Sequence, residues 1–248
     1  MKNIIKIFLS IAIASNLYAV SVGDIAVIGI SGDTSPSGSG TGKSLVFVAL
    51  ADIAAATQIT FTDSAITSTG GWRGNEGGAT YVAPAGGLAA GTVISATGTS
   101  TATWSANTDF TGVASGTALG NNGMNLSTSG DTVTVFTGDI DSPTYLHMAA
   151  SNSTTYLTSG TPNSTSSYLA PGLTLGSTAV AAGAGTGSGS EFDNVYYSGI
   201  TTGTAVALFA AINDNENWTG SNSAFNPQTS FTIEAVPEPN TYALISGL

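Results

Sequence analysis

Hydrophobic residues along this chain fall into short runs, and many of them alternate with polar residues at a period of two. Residues 58–63 place Ile59 and Phe61 on one face, and residues 131–136 alternate in the same way. Alternation of this kind predicts strands with one buried face. Residues 45–50 instead form a continuous apolar run, which is typical of a strand buried on both faces.

The whole pattern predicts an all-β domain with one helix. Strands are predicted at residues 22–30, 45–50, 58–63, 79–83, 92–96, 131–136, 145–149 and 230–235. Leu208, Ala211 and Ile212 recur at helical spacing, and Thr204 stands where a helix cap belongs. Short strands separated by turn residues predict a single antiparallel β-sandwich-like domain with this one short helix near its C-terminus. The alternative is a parallel β-helix.

The first nineteen residues have the layout of a secretory signal peptide. Lys2 and Lys6 form a short positive segment before an apolar core. A small residue, Ala19, follows that core at a position suited to cleavage. The core is shorter than the about 20 apolar residues that cross a bilayer. We therefore expect residues 1–19 to be removed on export, which leaves residues 20–235 as a β-rich extracellular domain.

Charge and composition exclude several classes of function. The net charge is −11, and once Lys2 and Lys6 are removed only Lys43 and Arg73 oppose fifteen carboxylates. Phosphate backbones and anionic lipid surfaces should repel such a chain, so nucleic acid is not an expected partner. The absence of Cys excludes disulfides, thiolate metal sites and Cys nucleophiles. The single histidine, His147, is too few for a histidine-based zinc site.

Carboxylates are the plentiful reactive groups, and some lie two residues apart. Asp139 and Asp141 are such a pair, and they make calcium the one candidate cofactor, because Ca²⁺ binds carboxylate and carbonyl oxygens. Two acids alone do not complete the six to eight ligands of a calcium site, so turn formation is the competing interpretation. A third interpretation is that such a pair acts as the two catalytic carboxyl groups that glycosidases use.

The most distinctive loop is residues 70–78, a Gly-rich segment that contains Trp72, Arg73 and Glu76. An exposed Trp and Arg on a loop suggest a binding site, and stacking of Trp72 on a sugar ring is the specific hypothesis. In the competing interpretation, Trp72 covers the end of the core and Arg73 pairs with Glu76. The sequence leaves both open.

Several segments taken in order resemble a secreted bacterial β-rich surface module of the kind found in PEP-CTERM and other surface proteins. They are residues 23–29, 47–50, 59–63, 71–77, 83–94, 195–199 and 211–218. The resemblance covers most of the chain after the signal peptide. It implies an extracellular setting and no catalytic role for any of these positions.

The last residues, 236–248, resemble the start of a PEP-CTERM sorting signal. Pro237, Glu238 and Pro239 match its defining triplet, and an apolar run follows as far as Leu248. In that family a transmembrane segment and an Arg cluster come next, so we expect the signal here to be partial. The resemblance implies processing by an exosortase-type sorting enzyme and a transient association with the membrane during sorting.

These signals together predict an exported cell-surface or exopolysaccharide-matrix protein with a structural or adhesive role and no catalytic residues. Sec export in a Gram-negative-type envelope would deliver it, and exopolysaccharide is a candidate partner. One alternative is a carbohydrate-binding module that uses exposed Trp side chains. The other is a polysaccharide-active enzyme with a pair such as Asp139 and Asp141, which requires carboxylates of raised pKa to converge in a cleft.

Overall fold

Two six-stranded β-sheets pack face to face around the main hydrophobic core. The computed structural model describes residues 19–33, 42–98, 104–105, 110–112, 117–120, 123–184 and 191–236. Sheet one has the strand order β13-β11-β1-β2-β5-β6, and sheet two has the order β10-β9-β8-β3-β4-β7. Strands β12 and β14 form a separate two-stranded ribbon.

The strands and the helix have the following bounds. They are β1 Ile25–Ser31, β2 Lys43–Ala49, β3 Gln58–Thr62, β4 Gly78–Val82, β5 Val93–Gly98, β6 Trp104–Ser105, β7 Phe110–Gly112, β8 Thr132–Asp139, β9 Ser142–Ala150, β10 Ala179–Ala181, β11 Asn194–Tyr197, β12 Thr202–Gly203, α1 Ala205–Ile212, β13 Trp218–Ser221 and β14 Thr232–Ile233.

Neighbouring strands within the two sheets are antiparallel except for β9 and β10, which run parallel, as do β12 and β14. The predicted fold class, an antiparallel sandwich with a short helix near the C-terminus, is confirmed. The alternative of a parallel β-helix is wrong, because the long strands pair in antiparallel hairpins and not in stacked parallel coils.

Aromatic residues from both sheets fill one part of the main core. Phe47 of β2 lies between Phe61 of β3, Tyr81 of β4 and Phe110 of β7, with ring centroids 4.8, 5.3 and 6.4 Å away. Tilted and edge-on pairs at these separations add to the stability that area burial provides. This contact between strands of opposite sheets ties the two layers together.

The outer face of sheet one is covered as well, which explains the continuous apolar run in β2. Phe47 points into the main core, whereas Val46 and Val48 lie on the other face, in the same buried cluster as Leu208 and Ile212 of α1. Because both faces are buried, apolar residues occupy successive positions and not alternate ones. The helix begins where the sequence predicts: the Thr204 hydroxyl accepts a hydrogen bond of 3.2 Å from the Ala207 N–H.

A second covering layer lies on the outer face of sheet two. Met148 and Ala150 of β9 pack there against Ile66, Tyr156 and Leu173, which belong to the long connections outside the sheets. The segment between β9 and β10 is therefore folded back on the sheet and is not a free surface loop. It brings several Ser, Thr and Asn side chains close to the first residues of β8.

The single histidine lies in the interior, where it joins the two sheets. Strand β1 has a bulge between Val27 and Gly29, and β11 pairs with β1 only from Gly29 onward. His147 of β9 is fully buried, and its Nδ1 accepts a hydrogen bond of 3.2 Å from the Val27 N–H. The side chain thus supplies the partner that a buried backbone N–H requires.

Candidate functional site

The predicted loop of residues 70–78 is packed onto the outer face of sheet two. The Trp72 ring lies 5.3 Å from Phe136 and 5.7 Å from Tyr145, and its Nε1 donates a hydrogen bond of 2.8 Å to the Ile140 carbonyl. Trp72 is half-buried. This is the geometry expected of an aromatic side chain that covers a core.

Trp218 has a similar role on the other sheet. It lies 6.2 Å from Tyr197, is half-buried, and donates through Nε1 to the Ile212 carbonyl at 2.7 Å. Trp72 and Trp218 therefore lie on different sheets and do not form one stacking platform. The side chain of Trp104, the third candidate, is outside the part of the chain that the structure describes.

The acid pair Asp139 and Asp141 lies at the tight turn that joins β8 to β9. Both residues are exposed, and the Asp139 carboxylate accepts a hydrogen bond of 2.9 Å from the Asp141 N–H. This contact is the local turn that Asp commonly forms. Over the described ranges, no group of three or more His, Cys, Asp or Glu side chains is arranged to hold a metal ion.

Three other carboxylates converge at one end of sheet two. Asp63 follows β3, Glu76 precedes β4 and Asp131 precedes β8. Because β3 lies between β8 and β4 and runs antiparallel to both, the end of β3 and the starts of its neighbours meet at the same edge. The three side chains line a cavity of about 260 Å³, which we call the acid cavity.

Each of these carboxylates accepts at least one hydrogen bond from a backbone N–H group nearby. Asp63 accepts hydrogen bonds from Gly77 at 2.9 Å and from Asn125 at 2.6 Å, one on each oxygen. Asp131 likewise accepts from Ser127 at 3.0 Å and from Thr132 at 2.7 Å.

Glu76 completes the set, since it accepts a hydrogen bond from the Ala65 N–H at 3.2 Å. The acids therefore fasten the two loops at 63–77 and 123–131 to the end of the sheet.

Both basic residues that follow the predicted signal peptide approach the acid cavity. Arg73 Nη1 lies 3.0 Å from Glu76 Oε2. Lys43, at the start of β2 in sheet one, donates from Nζ to the carbonyls of Gly32 and Leu126, and its charge lowers the pKa of Asp63. The two cations of the domain therefore lie where its carboxylates are buried.

Burial still dominates the protonation of the three acids. It raises the pKa of Asp63 despite the N–H donors and Lys43, and it raises the pKa of Asp131 well above the usual range, helped by the negative charges of Asp63 and Glu76. For Glu76, burial and the charge of Asp63 raise the pKa to about 7, against the opposing effects of Ala65 and Arg73. A carboxyl of this kind exchanges its proton near neutral pH.

Of the residues at this site, the sequence singled out only Arg73 and Glu76. Arg73 and Glu76 were candidates, and the structure places them at the cavity. Asp63 and Asp131 were missed, although each is the terminal residue of a predicted strand, because the pairing of β3 with β8 across a long loop is not visible in a hydrophobic pattern. A topology that placed these two strands side by side would have shown that their acidic ends coincide.

The other predicted positions lie at or beyond the ends of the described domain. Ala19 is exposed and adjoins Val20, which is buried in the main core. Pro237, Glu238 and Pro239 are outside the described residues. Within the described ranges, no helix combines the length and hydrophobicity needed to cross a membrane. Searches among protein-family models, curated proteins and solved structures find no match to this chain.

Proposed function

We propose that this chain is an exported cell-surface or exopolysaccharide-matrix protein with a structural and adhesive role. The observation that carries this proposal is the way in which the buried acids are bonded. The oxygens of Asp63 and Asp131 accept hydrogen bonds from backbone N–H groups, and Glu76 accepts one from a loop N–H and pairs with Arg73. Groups engaged in this way stabilise the end of a sandwich, which is what a durable surface module needs.

The two ends of the domain support the export part of the proposal. Cleavage after the exposed Ala19 would remove the predicted signal peptide directly before Val20, the first buried residue in the described part of the chain. At the other end, Val236 is 71% exposed, so the sorting triplet follows an accessible segment. A sorting enzyme of the exosortase type would reach it without unfolding the domain.

Cell fractionation tests the proposal. The full chain should appear at the cell surface or in the exopolysaccharide fraction, with its N-terminus at Val20. A variant without residues 236–248, and one with Pro237, Glu238 and Pro239 all changed to Ala, should be exported but remain in the periplasm. If the full chain is a soluble periplasmic protein, or if the triplet can be replaced without effect, the proposal is wrong.

A second candidate function, a polysaccharide-active enzyme, is favoured by one observation. Glu76, with a pKa of about 7, shares the acid cavity with Asp63, and glycoside hydrolysis uses one protonated carboxyl and one ionised carboxylate. This pair replaces Asp139 and Asp141, which lie on an exposed turn. Release of reducing ends from exopolysaccharide by the full chain, and its loss in Glu76→Gln, would establish the enzyme in place of the structural role.

A further inference from the structure

A trough runs along one side of helix α1. It consists of two adjoining cavities of about 420 Å³ each, which share Gly176 and Ala210 in their walls. The first cavity lies between the helix and residues 22–24, which precede β1, and the second lies at the C-terminal end of the helix. We call the two together the helix trough. Its lining shares no residue with the acid cavity.

The first cavity has an apolar wall that is open to solvent. Val206 is 77% exposed and Val22 is 46% exposed, and Phe209 lies beside them in the same wall. None of the side chains of α1 is charged or polar, although only Leu208 and Ile212 are buried. Apolar side chains that are exposed together along a groove are typical of an interaction site. The exposed side of α1 therefore has the character of a contact surface.

The second cavity carries negative charge. Asp214 lines it and is exposed, Glu216 follows in the short turn after the helix, and the last turn of α1 contains no basic residue. Asp24 adds a carboxylate to the wall of the first cavity. The two basic residues of the domain lie at the acid cavity and not here. The helix trough is therefore apolar along the helix and negative at its end.

The two carboxylates in the walls are held in position by the backbone. Asp24 Oδ2 accepts a hydrogen bond of 2.7 Å from the Ser21 N–H, and Asp214 Oδ1 accepts one of 3.0 Å from the Glu216 N–H. The second oxygen of each makes no hydrogen bond with a described residue, so it can accept one from a partner. A wall fixed before binding loses little conformational freedom when a partner arrives.

The chemistry of the helix trough selects the class of partner. An apolar wall beside carboxylates that no cation neutralises matches apolar side chains next to a cation, which in a protein is a Lys or an Arg. The acidic wall would repel an anionic lipid surface. A second copy of this domain would bring more carboxylates and no available cation, because Lys43 and Arg73 are engaged at the acid cavity.

We propose that the helix trough binds a short apolar segment of another protein that carries a Lys or an Arg, with its apolar side chains on Val206 and Val22 and its cation beside Asp214. Helix α1 rises about 12 Å over its eight residues, so an extended segment has about four residues in contact with it. The proposal rests on the adhesive role proposed above and gives it a class of partner.

Selection of random heptapeptides by phage display on the purified protein, after removal of its signal peptide, tests the proposal. Enriched peptides should combine a run of apolar residues with a neighbouring Lys or Arg. A synthetic copy of the most enriched peptide should shift the ¹H–¹⁵N NMR signals of residues 22–24 and 205–216, with a dissociation constant of about 1 mM or tighter. Failure to enrich such peptides, enrichment of acidic ones, or shifts confined to other residues would overturn the proposal.

A pair of exposed positions separates the trough from apolar surface in general. Val206→Ser removes an apolar contact and should weaken binding of this peptide about tenfold. Ile200→Ser is the matched control, because Ile200 is 57% exposed but does not line the trough, and it should bind the peptide as the unaltered protein does. Both side chains are exposed, so neither variant should melt at a lower temperature. Equal loss of binding in both would contradict the proposed contact.

Asp214→Asn tests the charged contact. Asn can still accept the bond from the Glu216 N–H, so the turn should keep its structure. Binding of the peptide should weaken about twofold to fivefold, and its dependence on NaCl should decrease. Asp141→Asn removes the same charge from the exposed β8–β9 turn, outside the trough, and should change neither quantity. Unaltered affinity and salt dependence in Asp214→Asn would contradict the position of the cation.

Vesicles distinguish a peptide partner from a membrane. In sedimentation with phosphatidylcholine vesicles that contain phosphatidylglycerol, the protein should stay in the supernatant. Co-sedimentation that Val206→Ser abolishes would assign the exposed side of α1 to a membrane and overturn the proposal. All of these measurements use purified protein, so a negative result leaves the outcome of the fractionation experiment standing, and mislocalisation in cells leaves the binding result standing.

Discussion

Single buried side chains in this protein supply partners for backbone groups that the sheets leave unpaired. His147 accepts from Val27, and Asp63 accepts from two loops at once. Burial raises the pKa of Asp63 and lowers the pKa of His147. The stability of the fold should therefore depend on pH. This dependence should have opposite signs for a buried base and for a buried acid.

Replacing His147 should show what its hydrogen bond contributes. In His147→Leu the Val27 N–H loses its partner, so we expect a loss of about 1–3 kcal/mol in the free energy of unfolding, measured in urea. His147→Asn is the conservative control, because its Oδ1 can accept the same bond. If Leu and Asn cost the same, the bond to Val27 is not what matters.

The pH dependence of the same residue has a defined sign. Burial lowers the pKa of His147 to about 3, below its ordinary value of 6.5. Between these values the unfolded chain binds a proton that the folded chain does not, so stability should fall as the pH falls from 6.5. His147→Asn should remove this part of the acid sensitivity, and urea titrations from pH 4 to 7 would measure the difference.

Glu76 should act in the opposite direction. Its pKa is raised from 4.5 to about 7, so the folded chain holds the extra proton, and stability should fall as the pH rises from 4.5 to 7. Glu76→Gln should flatten this slope. Glu234→Gln, at an exposed position after β14, is the matched control and should leave the slope unchanged. If the Glu76→Gln variant keeps the full slope, Glu76 is not its source.

Among the helices and strands, the sequence predicted the elements whose hydrophobic pattern is local. It missed the short strands that form only by pairing with a distant neighbour. The helix α1 carries both its cap, Thr204, and its apolar spacing within ten residues. Strands β10 and β11 are only three and four residues long and flank a Gly-rich run, so no periodicity reveals them. The last strand was predicted at 230–235, but only two residues, Thr232–Ile233, pair with β12.

The packing of α1 against sheet one gives a prediction at this scale. Leu208 is fully buried, so Leu208→Ala should cost about 2–5 kcal/mol in the free energy of unfolding. Val206, on the same helix, is 77% exposed, and Val206→Ala should stay within about 0.5 kcal/mol of the unaltered protein. Chemical denaturation of the two variants would measure both changes. Similar losses of unfolding free energy in the two would mean that the helix does not pack as described.

For the molecule as a whole, charge balance is the dominant feature. Residues 20–235 carry fourteen carboxylates and only Lys43 and Arg73, and both of these lie beside buried acids. The remaining surface carries acidic side chains that no basic side chain neutralises. Repulsion between them should lower the stability of the protein at low ionic strength.

Salt should therefore stabilise the protein, and the choice of salt tests the calcium hypothesis. Raising NaCl from about 0.01 to about 0.5 M shortens the screening length from about 30 Å to a few ångströms, so the melting temperature should rise. CaCl₂ at equal ionic strength should give the same rise if screening is the only effect. A larger rise with CaCl₂ that disappears in Asp139→Asn/Asp141→Asn would instead establish a calcium site at the β8–β9 turn.

The position of β1 has a consequence for the order in which the chain can fold. This strand lies between β2 and β11, and Ser31 bonds to Asn194, 163 positions later. Sheet one therefore cannot be completed until most of the chain has been synthesised, and pairing across such separations makes folding slow. Sheet one of a nascent chain with this topology stays incomplete while the N-terminus is already available, which suits the export proposed above, because an exported chain crosses the membrane before it folds.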